Sequence, residues 1–185
     1  MFQEQKAAQV AAFFLQREGG RMPHLKLMKL MYLADREAMR EHGFPITGDR
    51  FVAMPHGPVL SLTLSHIDGD VESSAEGWDS WISDKADHCV EVIRRVDRDA
   101  LDELSDADIA VLQRVWDTFG SMDKWQIRDY THDPRHCPEW RDPQGSSHAI
   151  RYRDVFRALG MSVAEANAAQ AEIEAQSRLA RQLSA

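Results

Sequence analysis

Cysteine is scarce in this chain: Cys89 and Cys137 are the only two among 185 residues. Two thiols cannot build a disulfide framework, so the composition points to a reducing, cytoplasmic setting. Positive charge is also in short supply. The 22 Lys and Arg are outnumbered by 30 Asp and Glu, giving a formal net charge of −8. That balance disfavours a nucleic-acid binder, which normally carries a basic surplus, and suits a protein partner better. Long apolar runs are missing too. The opening MFQEQKAAQVAAFFLQREGG is polar on one side and too short in apolar residues to span a bilayer, and it lacks the layout of a signal peptide. There is no P-loop, no GxGxxG after a strand, no GxSxG elbow and no kinase signature. Those absences lower the weight of an enzymatic reading.

What is present is enough for one domain with a real core, at 43% hydrophobic and 28% charged residues. Val10, Phe13 and Phe14 fall at helical offsets in a first helix over 3–17, stopped by Gly19 and Gly20. Pro23 suits the first turn of a second helix reaching Glu41 or His42. Its apolar stripe is Leu27, Leu30, Met31, Ala34 and Ala38, with Lys26, Lys29, Arg36, Glu37 and Arg40 largely off it. Gly43 caps it and Pro45 prevents its continuation. An extended piece over 46–54 follows, and Pro58 is expected to open a short third helix. Residues 68–76 read as a loop. A strand is expected over 88–95, pairing with the earlier extended piece. Ser105 and Asp108 resemble a capping box ahead of a helix ending at Gly120, and another short helix starts near Met122. The proline-rich stretch THDPRHCPEWRDPQGSS reads as mostly loop. Residues 151–159 form a helical turn or two. Ser162 and Glu165 then cap an Ala- and Glu-rich last helix with a thin stripe of Val163, Ala166, Ile173 and Leu179. The expected fold is mainly α (α+β): a compact helical domain over 1–160, a small antiparallel β element, and a C-terminal helical extension over 161–185 suited to oligomer contacts.

Several clusters have the residue types for chemistry. His132, His136, Cys137 and His148 are zinc-ligand types, but no CxxC or HExxH organises them and His136 and Cys137 are adjacent. Cys137 with His132, or Cys89 with His88, would make a nucleophilic pair only in an electropositive pocket. The carboxylates from Asp97 to Asp108 surround a helix start, where they complement its dipole. Lys26 and Lys29 share a helix face at three-residue spacing, and Arg36 and Arg40 share one at four. This is either a solvated face or a docking surface for an acidic patch, with Tyr32 as an anchor. His56-Gly57-Pro58 is the sharpest local feature: a stiff turn that presents Met54 and His56.

These residues resemble the Panacea domain of the SocA-like antitoxin family. LKLMKLMYLAD (25–35) is similar to the family's lysine-leucine helix, and Gly43 to Phe51 to its glycine-proline approach to an extended segment. Ala53-Met54-Pro55-His56-Gly57-Pro58-Val59 is similar to its G-P-V turn. Leu104 to Trp140, through Thr131-His132 and Pro138-Glu139-Trp140, resembles its T-H…P-W element. The likeness covers roughly 10–156. The chain departs at His56, where the pattern more often has an aromatic residue, and in the added C-terminal helix. The resemblance implies an antitoxin-like, non-catalytic module. Such a module neutralises a toxin encoded next to it by direct contact, in some members by delivering it to a cytoplasmic protease. Family members also occur in phage. No cofactor and no metal is implied. The expected partner-binding residues are Lys26, Lys29, Tyr32, Arg36, Met54 and His56, then Thr131, His132 and Trp140. The competing readings are a phage-associated regulator that binds nucleic acid through Lys26, Lys29, Arg36 and Arg40, and a metal-dependent hydrolase built on the His/Cys cluster.

Overall fold

The computed structural model describes residues 1–183. The order is α1 (Glu4–Arg17), β1 (Arg21–Pro23), α2 (His24–His42), β2 (Phe51–Met54), β3 (Gly57–Leu60), α3 (Ser61–Asp68), a 3₁₀ turn (Trp78–Ser80), β4 (Cys89–Glu91), α4 (Asp106–Phe119), α5 (Lys124–His132), β5 (His148–Ile150), α6 (Tyr152–Ala158) and α7 (Val163–Leu183). It is mainly α with two small antiparallel sheets, as the periodicities imply.

α2 is the axis of the molecule. It packs against α1, α4, α5 and β3, so little of its circumference meets solvent. Every residue from Lys26 to Asp35 is buried. Gly43 takes the left-handed conformation (φ +82°) that ends the helix. α1 packs against α2 and α4, and its run from Ala7 to Leu15 is buried; the small Ala7, Ala8, Ala11 and Ala12 let neighbouring elements approach closely. The box between Ser105 and Asp108 opens α4 as expected. A second box, Asp123 with Gln126, opens α5.

Two expectations need correction. Pro58 does not start a helix. It lies in β3, paired opposite Ala53, and α3 begins at Ser61. Ser61 N–H donates to Arg50 C=O (2.8 Å), so with alternating pairing Val59 bonds to β2 while Pro58 turns its missing N–H outward. The strand near Cys89 is short and pairs with β1, Met22 opposite Val90, rather than with the 46–54 segment. The third strand beside β2 is β5, three residues that the periodicities leave unassigned, giving the order β3-β2-β5. Of the expected α7 stripe, Ala166 and Ile173 are buried against the domain. Val163 and Leu179 are more than half exposed. α7 packs chiefly on α6. Among the described residues, no helix is long and apolar enough to cross a membrane.

Candidate functional site

The candidate residues from four separated segments converge beneath the β2–β3 hairpin. Lys29, with no exposure, sends its Nζ from the middle of α2 to the Pro58 carbonyl (2.7 Å). Burial lowers its ammonium from the ordinary 10.5 to about 7. His132, in the last turn of α5, stacks face to face on Trp140, with centroids 4.2 Å apart and planes 8° apart, and its buried Nε2 has no hydrogen-bond partner among the described residues. The Trp140 indole N–H donates to the Met54 carbonyl (3.2 Å). Lys29 and Trp140 thus hold the backbone on either side of the two-residue tip Pro55-His56, with the His132 ring stacked on Trp140. Gly57 makes this possible. It has φ +97°, and a Cβ there would stand 2.8 Å from Lys29 Nζ and 2.9 Å from His132 Nε2.

A second knot lies one helical turn further along. The Glu139 carboxylate, fully shielded, accepts from Tyr32 Oη (2.6 Å) and Arg36 Nε (2.6 Å). Arg36 also donates to the His136 carbonyl (2.9 Å). Burial, with Glu139 beside it, pushes the Tyr32 phenol well above its ordinary value. His136 stacks on Tyr130 (4.1 Å). Cys137 is buried, and burial raises its thiol to about 12, which keeps it protonated at neutral pH. Among the described residues, no three His, Cys, Asp or Glu side chains converge as metal ligands.

The expectation that Lys26, Lys29 and Tyr32 lie on a solvated or docking face is therefore overturned. All three are buried because α2 is packed on most sides. Lys26 Nζ reaches Glu18 (2.7 Å) and the Gly120 carbonyl at the end of α4 (2.9 Å). Thr131 is buried too, its hydroxyl donating to the Arg128 carbonyl (2.9 Å). Arg36 is half-buried and paired, and Arg40 is paired with Glu37, so the basic stripe invoked for nucleic acid does not exist as a free surface. His56 is exposed, and Met54, His132 and Trp140 are half-buried around it. Sequence reasoning passed over Glu139, which lies within the quoted Pro138-Glu139-Trp140 motif. It also passed over a cavity of about 520 Å³ beside it, lined by Arg141, His148, Ala149 and Arg157 among others.

The family model for "Antitoxin SocA-like, Panacea domain" matches residues 27–141. The chain belongs to the SocA-like antitoxin family. The matched span runs from the α2 lysine-leucine helix through the hairpin to Trp140, the segments that meet in the two polar knots. No curated protein and no solved structure matches the chain significantly. In this Panacea domain Lys29 and Trp140 grip the hairpin, Tyr32 and Arg36 grip Glu139, and Pro55 and His56 at the tip are left to solvent.

Proposed function

We propose that this protein neutralises a protein toxin by direct contact and performs no reaction itself. The observation that carries the reading is the division of labour within the matched segment. Lys29, Tyr32, Arg36, His132, Glu139 and Trp140 are engaged with one another and with the hairpin backbone. What they hold out is a stiff tip, Met54 to Gly57, beside the half-buried face of Trp140. A rigid protrusion flanked by an aromatic ring loses little entropy on binding, which suits a recognition edge. The buried, protonated Cys137 and the stacked His132 lack the exposure that a nucleophile and base need. Complex formation in the cytoplasm is the step that any handover to a protease requires.

The test is co-expression with the product of the adjacent reading frame in a bacterial host. Restored growth and co-purification of the two proteins are expected. Undiminished toxicity in the presence of folded protein would overturn the reading. At finer grain, Met54→Ser with His56→Asp is expected to weaken the complex by roughly tenfold or more while leaving the melting temperature unchanged.

A further inference from the structure

The cavity beside the hairpin has a feature that the motif residues do not explain. Many cations of this acidic chain sit against a carboxylate, Arg36, Arg40, Arg98, Arg114, Arg128 and Arg135 among them. Arg141 and Arg157 do not. Among the described residues, neither guanidinium meets a carboxylate, a ring or a side-chain acceptor, and both stand exposed in the wall of the 520 Å³ cavity with His148 between them in sequence. Of the two carboxylates in the same wall, Glu139 alone is paired with a cation. Glu139 is bound by Tyr32 and Arg36, and Asp154 accepts the Arg151 N–H at the start of α6 (3.3 Å). The cavity therefore offers two guanidinium groups without a carboxylate partner against one exposed carboxylate, Asp154.

The same wall contains an unpaired sheet edge. β5 is the outermost strand of β3-β2-β5. Arg50 and Ser61 form a bonded pair, so alternation directs Val52 toward β3 and Phe51 and Ala53 toward β5. Their partners Ile150 and His148 then face β2, and Ala149 between them turns its N–H and C=O away from the sheet, into the cavity wall. An open edge with such groups is a template for another extended chain.

We propose that this cavity receives an extended acidic segment of the partner protein, added antiparallel or parallel beside β5. The segment's backbone bonds to Ala149, and its carboxylates meet Arg141 and Arg157, with His148 as a further ring donor. The inference rests on the protein-binding reading above and sharpens it. Ala53 pairs with His148, so this edge and the hairpin tip lie at the same end of the sheet, and Trp140 separates the tip from Arg141 by one position. One partner can span both. The net charge of −8 points to a basic partner surface; this local site selects for the opposite sign.

The probe is a short fluorescein-labelled peptide of alternating Glu and Val, measured by anisotropy on the full chain at low and moderate salt. Binding that weakens with salt is expected. Arg141→Glu with Arg157→Glu should reduce affinity by roughly tenfold or more. Ala149→Pro removes only the outward N–H and leaves the β2–β5 ladder intact, so it should also weaken binding at unchanged melting temperature. If Ala149→Pro perturbs folding, a peptide N-methylated along one edge makes the same test from the ligand side. No retention of the Glu-Val peptide overturns the proposal. So does equal retention of a Lys-Val peptide, insensitivity to both backbone blocks, or displacement by a single-stranded oligonucleotide. Toxin neutralisation without peptide binding sinks this inference alone; peptide binding without neutralisation sinks only the antitoxin reading.

Discussion

Lys29 shows what burial does to a single charge. Its Nζ has one protein acceptor, the Pro58 carbonyl, and no exposure. Desolvation brings its titration down from 10.5 to about 7. Between those values the unfolded chain binds the proton and the folded chain does not, so stability must rise with pH across that window. Asp35 has the opposite sign. Burial, partly offset by hydrogen bonds from Thr47, raises its carboxyl from 3.8 to about 7. The folded chain then holds the extra proton, and stability falls as pH climbs toward 7. Each effect is on the order of 4 kcal/mol at full extent. The two together place a stability minimum near neutral pH. In Lys29→Met the rise above pH 7 should vanish while the fall below it persists, read from urea midpoints across pH. Parallel profiles for the two proteins would refute the assignment. The sequence shows that Lys29 lies on a helix. It does not show its burial, because a lysine beside a charged face reads as solvated until the helix turns out to be packed on most sides.

At the scale of elements, what escapes the sequence is what acts between distant positions. α3 has no side-chain cap at its own start. Asp49, twelve positions upstream, does the capping. Its fully buried carboxylate accepts from Leu62 N–H (2.9 Å), Thr63 N–H (2.8 Å) and the Thr63 hydroxyl (2.8 Å). Asp49→Ala leaves those donors buried and unmatched and should cost about 2–4 kcal/mol, with faster hydrogen exchange at Leu62 and Thr63. Unchanged exchange there would show that another group anchors α3. Local caps, by contrast, were legible: Ser105 with Asp108 and Ser162 with Glu165 form the boxes that their spacing implies. The turn before β4 was not, because Asp87 and His88 both take positive φ (50° and 60°) without a glycine to announce it. β5 was hidden for a related reason. A three-residue strand among prolines and glycines has no periodicity, and only β2 makes it a strand.

At the scale of the whole molecule, α7 joins the core through Ala166 and Ile173. Gly160 (φ +99°) ends α6, and α7 returns along it. The attachment is modest. Among the described residues it includes the buried Ala166 and Ile173, the half-buried Ala169, a hydrogen bond from Arg153 N–H to Gln170 (3.0 Å), and one from the Met1 amine to Ser177 (2.8 Å). Burying one isoleucine and one alanine stabilises by about 3 kcal/mol, and exposed hydrogen bonds add little. A domain of this size commonly has about 5–15 kcal/mol in reserve. The motif residues, the hairpin and α2 all lie before residue 160, which is where the sequence pattern also divides the chain. A protein ending at Gly160 should therefore fold cooperatively, lose about 3 kcal/mol in urea titration, and still protect cells from the toxin on co-expression. If it instead collapses into a state without a cooperative transition, the last helix belongs to the core, and the division at 160 is wrong. If it folds but no longer protects, α7 carries part of the toxin contact, and the exposed Val163 and Leu179 become the first positions to substitute.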